Sequence, residues 1–154
     1  MKKFFKKQSV ALVTLGLVFL FALFLHIFAP VQYRTILAHE TLIHAEIAAT
    51  SDARQKGLSG REALGAHDGM LFLFPLANRY PFWMIDMRFP IDIIWIRGRS
   101  VVDIAANAQP PAPGTSAAEF PLYYPRLPAD KVLEIPAGAA EQMGIKIGDE
   151  LHGI

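Results

Sequence analysis

The sequence predicts a mainly β domain with a minor helical share: a compact antiparallel sheet or small barrel with two short helices, preceded by one N-terminal transmembrane helix. Short apolar or alternating runs recur at fairly even spacing between turn residues, as in antiparallel β proteins. No helical run is long enough for the usual crossover between parallel strands, so a doubly wound α/β fold is not expected. The membrane helix is predicted from residues 10–28, where sixteen of nineteen residues are apolar.

The first thirty residues carry the pattern of a membrane anchor. Four lysines fall within residues 2–7, and such a basic start stays on the cytoplasmic side. Nineteen helical residues span roughly 28 Å, close to the hydrocarbon core of about 30 Å. Bulky residues precede Ala29 and Pro30, which makes a poor cleavage site. We therefore expect an uncleaved anchor in the inner (cytoplasmic) membrane, with the domain facing the periplasm or cell exterior. A cleaved signal is the alternative, and it would give a secreted domain.

Composition excludes several function classes. The chain of 154 residues contains no Cys, which excludes disulfides, thiolate metal sites and a cysteine nucleophile. Beyond the N-terminal lysines, eleven Lys and Arg face fourteen Asp and Glu. The pI near 8.1 is therefore no sign of nucleic-acid binding. Dinucleotide, Walker, zinc and H-E-x-x-H motifs are absent from the sequence. No metal, no cofactor and no nucleic-acid partner are predicted.

Four segments follow from these patterns: a basic cytoplasmic region over residues 1–9, the membrane segment over 10–29, a linker over 30–41 and the β domain over 42–154. Residues 31–39 are interpreted as a linker or the first edge of the sheet. Alternation over residues 42–48 predicts a half-buried strand. A short helix is predicted over residues 52–56, capped at its start by residues 50–52 and ended by Gly57.

The middle of the domain predicts further strands. Residues 70–74 are apolar on both faces, which predicts a central strand stopped by Pro75. Residues 82–87 and 91–96 predict two more strand pieces, interrupted at Pro90. A hairpin turn is predicted over residues 97–100, with a returning strand over 101–105.

The last third begins with a long loop. Residues 107–128 hold six of the eleven prolines, and a loop of this length is usually functional or mobile. Residues 132–135 predict a strand, and residues 139–143 predict a short helix that Gly144 ends. Residues 145–151 are expected to form a turn that leads into a closing strand.

The order and spacing of several short motifs carry a family resemblance. They are Gly57-Leu58, Arg61, residues 69–74, Phe82-Trp83-Met84, residues 90–93, residues 132–135, Gly138, Gly144 and Gly148-Asp149. From about residue 42 to residue 151 the chain resembles the bacterial and archaeal domain of unknown function numbered 192. The resemblance implies a small β-rich domain, often exported, with no established activity. Ser59 departs from it by standing where the family usually has Met, so Ser59 is poor evidence for a family-wide nucleophile.

Asp92 is the most informative candidate site residue. Its neighbours on the same strand face are Ile94 and Ile96, and a carboxylate among them is costly unless it is hydrogen-bonded or paired. One interpretation is a ligand-binding or acid–base carboxylate. The other, which we favour, is a buried anchor held by backbone N–H groups or by an arginine such as Arg54 or Arg61.

A cationic and aromatic cluster supplies the other ligand-binding candidates. Arg79 stands just before Phe82 and Trp83, and Tyr123 lies in the long proline-rich loop. Aromatic rings beside arginine suit stacking on sugar rings or binding of an anionic ligand. Core packing is the favoured alternative for Phe82, whereas the indole N–H of Trp83 needs a polar partner.

Histidines give weaker signals. His67 next to Asp68 has the composition of part of a catalytic pair, but a solvated loop is favoured. His44 and Glu46 share one strand face, yet two ligands do not make a metal site.

Three functions remain open, with a non-enzymatic role favoured. The first is a ligand-binding or accessory module anchored in the envelope, which holds a small envelope ligand such as a saccharide. The second is a hydrolase or lyase that uses Asp92 or His67. The third is a protein-interaction or assembly domain that docks an envelope protein. A pocket joining Asp92, an arginine and Trp83 would support the first two, and a flat surface would support the third.

Overall fold

The computed structural model describes residues 14–21, 30–116 and 119–154, in two units that divide after residue 31. In the first unit, residues 14–21 are helical. The rest of the predicted membrane segment lies outside the described residues. Within the part of the chain that is described, no helix is both long and apolar enough to cross a membrane. The anchor therefore stays a prediction.

The second unit is an open sheet of six strands with two short helices. The strands are β1 (Tyr33–Ala38), β2 (Thr41–Ala48), β3 (Asp68–Asn78), β4 (Ile91–Arg97), β5 (Ser100–Ala108) and β6 (Ala129–Pro136), in the spatial order β1-β2-β3-β6-β4-β5. The helices are α1 (Ser51–Lys56) and α2 (Ala139–Gln142). The mainly β class is confirmed.

The sheet is mixed and does not close, so the small barrel is wrong, whereas the antiparallel pairing that was predicted is found in all neighbouring pairs but one. Strands β2 and β3 run parallel, with Ala45 opposite Gly69, and the other neighbouring pairs run antiparallel. Residues 49–67, which include α1, carry the chain back to the start of β3. This connection meets the requirement of a dozen or more residues for a parallel crossover without a long helix.

Strand β1 shows that residues 30–41 include the first edge of the sheet. It pairs with β2 from Tyr33 opposite Glu46 to Ala38 opposite Thr41. Ile36 and Ala38 are fully buried. The segment thus contributes to the core rather than only connecting units.

Several predicted boundaries differ from the structure; β5, for example, runs to Ala108, so the long loop begins after that residue. Strand β3 continues through Pro75, because its register with β6 is irregular between Leu73 and Asn78 and the missing N–H of proline does not interrupt a regular ladder there. The predicted strand over residues 82–87 is a loop whose one bridge joins Phe82 to Tyr123; the backbone turns at Asp86, which has φ 55°. Residues 145–151 provide one isolated bridge, between Glu150 and Ser100, and not a closing strand.

Side chains alternate along the strands and produce a core on each face of the sheet. One cluster, which we call the helix face, includes Ile94, Leu133 and Ile135 together with Ala139 and Ala140 of α2. The other, which we call the cleft face, includes Met70, Phe72, Ile93, Trp95 and Val132. Because both faces are covered, residues 91–96 of β4 are all buried.

Candidate functional site

A cleft of about 380 Å³ opens on the cleft face, between α1, strand β3 and the loop that begins at Tyr80. Its apolar walls include Leu58, Phe72, Phe74, Phe82, Trp83 and Met87, and its polar lining includes Ser51, Arg54, Gln55, Lys56, Ser59 and Glu134. Concave sites with mostly apolar walls and a few polar groups are typical of small-molecule binding.

Local sequence explains how α1 forms this wall. The hydroxyl oxygen of Thr50 accepts a hydrogen bond from the backbone N–H of Ala53 at 3.1 Å, which caps the helix start. Gly57 ends the helix with a φ of 51°, and its N–H donates to the Ala53 carbonyl. A side chain at Gly57 would also meet the Phe72 ring at 3.4 Å. The predicted helix and its glycine stop are confirmed.

Four aromatic residues of the cleft, which we call the aromatic wall, pack on one another in fixed geometries: Phe72, Phe74, Tyr80 and Phe82. Phe74 and Tyr80 stack with ring centroids 3.8 Å apart, and Phe72 meets Phe82 edge-to-face at 4.9 Å. Trp83 is 40% exposed, so its ring is available at the rim. Preorganised rings of this kind offer flat apolar surface to a ligand at a low entropic cost.

Glu134 is the polar group that sets this cleft apart. It lies on β6, opposite Met70 of β3 and Ile93 of β4. The residue is 5% exposed, lines the cleft, and its carboxyl group makes no hydrogen bond to any described residue. Burial raises the pKa of Glu134 to about 8, although the positive charge of Arg61 acts in the opposite direction. Burial therefore favours the neutral form of Glu134 at neutral pH.

Arg54 places a cation beside the aromatic wall. Its Nη1 atom donates to the carbonyl oxygens of Ala49 at 2.5 Å and of Leu73 at 2.9 Å. Its guanidinium carbon lies 5.2 Å from the centroid of the Phe74 ring. No acidic side chain pairs with Arg54 among the described residues. Backbone carbonyls thus hold this group in place without neutralising its charge.

An ion pair lies next to Glu134 on the same face of the sheet. Arg61 Nη2 donates to Glu46 Oε2 at 2.5 Å, and Glu46 and Glu134 both lie opposite Met70, from its two sides. Two strand spacings put Glu46 and Glu134 about 10 Å apart along the sheet. Arg61 is therefore engaged by Glu46, and neither residue lines the cleft.

Asp92 lies away from the cleft, on the helix face. It is fully buried, and its two oxygens accept backbone N–H groups from Asn107 at 2.8 Å and from Ala140 at 2.9 Å. The structure thus agrees with the backbone-anchor interpretation. The suggested partners Arg54 and Arg61 are wrong, because both bind elsewhere.

The remaining sequence candidates divide between the cleft and its surroundings. Trp83 and Arg54 line the cleft, as proposed for ligand-binding residues. Arg79 instead donates from Nε to the Pro125 carbonyl at 2.7 Å. Tyr123 exchanges two backbone hydrogen bonds with Phe82. These hydrogen bonds therefore attach the proline-rich loop to residues 79–82.

The histidine candidates are not gathered into a site. His67 is exposed and outside the cleft lining. His44 is an exposed residue of β2. Across the described residues, no group of three or more His, Asp or Glu side chains could hold a metal ion.

Sequence analysis missed Glu134, although a signal was present. The run Val132-Leu133-Glu134-Ile135 places one carboxylate among apolar strand residues, the same pattern that identified Asp92. A lone acid in a fully apolar strand is expensive to bury, wherever it occurs.

Comparison with known proteins identifies a family. Residues 34–153 match the sequence profile of DUF192, described as "Uncharacterized ACR, COG1430". The crystal structure of a protein of unknown function from Novosphingobium aromaticivorans DSM 12444 is 34% identical and superposes with a TM-score of 0.68, covering 79% of this chain and 84% of that one. A proposed transcription regulator from Sinorhizobium meliloti 1021 is 25% identical with a TM-score of 0.71, covering 80% and 95%. No curated protein matches the chain.

Proposed function

The chain belongs to the uncharacterised family DUF192, and from that premise we propose that its β domain is a small-molecule-binding module held at the cell envelope. The observation that carries the proposal is Glu134, a carboxyl group 5% exposed that lines the cleft with no hydrogen-bonding partner among the described residues. Among the described residues the fully buried side-chain atom without a partner is Trp95 Nε1 and not an oxygen of Glu134, so the Glu134 carboxyl group reaches the cleft. It is therefore open to a hydrogen bond from whatever fills the cleft, which a bound ligand can supply.

The rest of the cleft supports this role. A volume of about 380 Å³ falls within the range of small-molecule sites. Its rings offer apolar contact, while Glu134 and Arg54 supply the few directed polar groups that fix a ligand's orientation. The ligand would enter past the partly exposed Trp83.

The envelope location rests on the N-terminal sequence. Four lysines followed by residues 10–28 favour a membrane partner on the N-terminal side and a domain outside the cytoplasm. The ligand is then a small compound of that compartment, a saccharide or other envelope fragment among them.

The cleft gives no support to a hydrolase or lyase that uses Asp92 or His67. A hydrolase or lyase based on Asp92 would use a carboxylate whose two oxygens already accept backbone N–H groups. His67 lies outside the cleft lining. A nucleic-acid role by analogy with the Sinorhizobium protein has little support, because residues 30–154 carry more acids than bases.

Native mass spectrometry of the purified full chain tests the proposal. We expect one small-molecule adduct that disappears in Gln55→Trp, because Gln55 is exposed and lines the cleft, where the new ring would occupy ligand space. The matched control is Gln142→Trp, at an exposed position of α2 away from the cleft. Absence of any adduct, or an adduct that persists in Gln55→Trp, would overturn the proposal.

A further inference from the structure

The charges that line the cleft do not balance. Arg54 and Lys56 contribute two cations, and neither is paired with an acid among the described residues. Glu134 is an acid of the same lining, and it is protonated at neutral pH because burial raises its pKa to about 8. The other ionisable groups nearby are Tyr80 in the lining, the Arg61–Glu46 pair next to Glu134, and Asp52 and Asp86, which line an adjoining pocket with Lys56 and Trp83. Arg54 and Lys56 therefore give the lining of the cleft itself a positive charge, while the carboxylates of Asp52 and Asp86 belong to the adjoining pocket.

Arg54 is preorganised to bind an anion. Its Nη1 atom is held by two backbone carbonyls, whereas Nε and Nη2 have no partner in the described part of the chain. A guanidinium group presents parallel N–H donors that fit the two oxygens of a carboxylate. Since the group is already fixed, little side-chain entropy is lost when an anion binds.

The aromatic wall lies next to this donor group. Arg54 sits over Phe74, which stacks on Tyr80. A ligand that joins a ring to an acidic group can therefore use the wall and Arg54 at once. Glu134, as a neutral acid, adds one O–H donor and an acceptor oxygen for a polar edge of the ligand.

We propose that the cleft selects an organic anion, a carboxylate attached to a planar ring, which Arg54 binds through the carboxylate and the partly exposed Trp83 binds through the ring. This inference rests on the proposed binding function and names its ligand class. It differs from a cation-binding aromatic cage, because Arg54 already covers Phe74 and would repel a ligand ammonium group.

Equilibrium dialysis of the full chain at pH 7 with three matched probes tests the charge preference. The probes are 1-naphthoate, 1-naphthalenemethanol and 1-naphthylmethylammonium, which share one ring system and differ in charge. We expect 1-naphthoate to bind saturably and the alcohol to bind roughly tenfold to a hundredfold more weakly, as for loss of a charged hydrogen bond. The ammonium probe should bind more weakly than the alcohol.

Arg54→Met separates the anion contact from general ring binding. The variant keeps an apolar side chain over Phe74 but removes the guanidinium group, so naphthoate should lose its advantage over the alcohol. Continued binding of the alcohol would show that the cleft remains formed. The matched control is Arg97→Met, since Arg97 is exposed at the end of β4 and lies outside the cleft lining.

The outcomes distinguish failure of the proposed ligand class from failure of the proposed binding function. Equal affinity for the three probes, a preference for the ammonium, or unchanged naphthoate affinity in Arg54→Met would overturn the anion class and leave the binding module in place. Failure of all three probes to bind would also overturn the anion class. The adduct measured by native mass spectrometry decides the binding function independently.

Discussion

The Oδ2 atom of Asp92 accepts a hydrogen bond at 2.9 Å from the backbone N–H of Ala140, 48 positions later in the chain. Its Oδ1 atom accepts the N–H of Asn107, a residue with a φ of 54°, at 2.8 Å. One buried carboxylate thus joins β4 to the start of α2 and to a left-handed residue of β5, a conformation that costs energy for a non-glycine residue.

We expect Asp92→Asn to lower the free energy of unfolding by about 1.5–3 kcal/mol, because the amide N–H₂ would face a backbone donor. The measurement is a denaturant titration with matched slopes. Asp52→Asn, at an exposed position of α1, should stay within about 0.5 kcal/mol of wild type. An unchanged or raised midpoint for Asp92→Asn would contradict the anchor role.

Glu134 should give the protein a pH-dependent stability. Its folded-state pKa is raised from 4.5 to about 8 by burial. The contribution of the protonated carboxyl group to the free energy of unfolding is therefore fully present below pH 4.5. As pH rises towards 8, the unfolded state releases a proton that the folded state retains, and stability falls.

At pH 8, Glu134→Gln should therefore be more stable than wild type by at least about 1 kcal/mol, with the difference vanishing near pH 4.5. Denaturant midpoints across this range provide the measurement. Glu141→Gln, at an exposed residue of α2, is the control and should follow the wild-type curve. If the denaturant midpoints of Glu134→Gln and wild type changed in parallel with pH, Glu134 would be ionised in the folded protein.

The Asp103–Arg126 pair should control the proline-rich loop. Burial alone raises the pKa of Asp103, but hydrogen bonds from the side chain and backbone of Arg126 outweigh it and hold that pKa below its usual value. We expect Arg126→Met to speed amide hydrogen exchange severalfold over residues 119–128, because the Nη2 and Nε contacts to Asp103 are lost. Arg97→Met should leave exchange there unchanged. Equal amide hydrogen exchange rates over residues 119–128 in the two variants would refute this role of the Asp103–Arg126 pair.

Gly69 should not tolerate a side chain. A Cβ atom at this position would lie 2.8 Å from the backbone oxygen of Glu134 and 3.2 Å from Ile135 Cγ2. Gly69→Ala should lower the free energy of unfolding by about 1–3 kcal/mol, because backbone must move in a packed sheet. Gly65→Ala is the control, since its Cβ would meet only the Asp68 side chain, which can rotate away. Comparable losses for the two variants would disprove this explanation.

The membrane topology is open to a direct test. A C-terminal reporter that is active only outside the cytoplasm should be active on the full chain, because four lysines precede residues 10–28. The same fusion beginning at Val31 should be inactive. Cytoplasmic activity of a complementary reporter on the full chain would overturn the envelope location.

Sequence patterns predicted the strands better than their arrangement. The apolar run at residues 91–96 and the alternation at residues 42–48 correspond to β4 and β2. The parallel pairing of β2 with β3 was missed because α1, at six residues, is far shorter than a typical crossover helix. Buried Met84 shows why residues 82–87 resembled a strand, since a loop that packs into the core also requires apolar side chains.

The candidate site was predictable only in part, because register decides which residues meet. Asp92 and Glu134 both interrupt apolar strands, and the sequence alone does not say which of them faces a cleft. In the structure, Ile93 lies opposite Glu134, so the adjacent Asp92 points to the other face of the sheet. Arg54 and Phe74 come together through tertiary packing of α1 on β3, which no local pattern encodes.

The β1–β2 hairpin makes contacts with the last residues of the chain, so these contacts form only when the C-terminal residues are present. His39, at the β1–β2 turn, binds Asp149 at a separation of 110 residues, and Leu37 pairs with His152. Contacts this distant require closure of a very long loop, which slows folding. A chain made from its N-terminus cannot form the bridge at Leu37 of β1 until residue 152 has followed. Until that moment the backbone of Leu37, on an edge strand, is open to pairing with other chains.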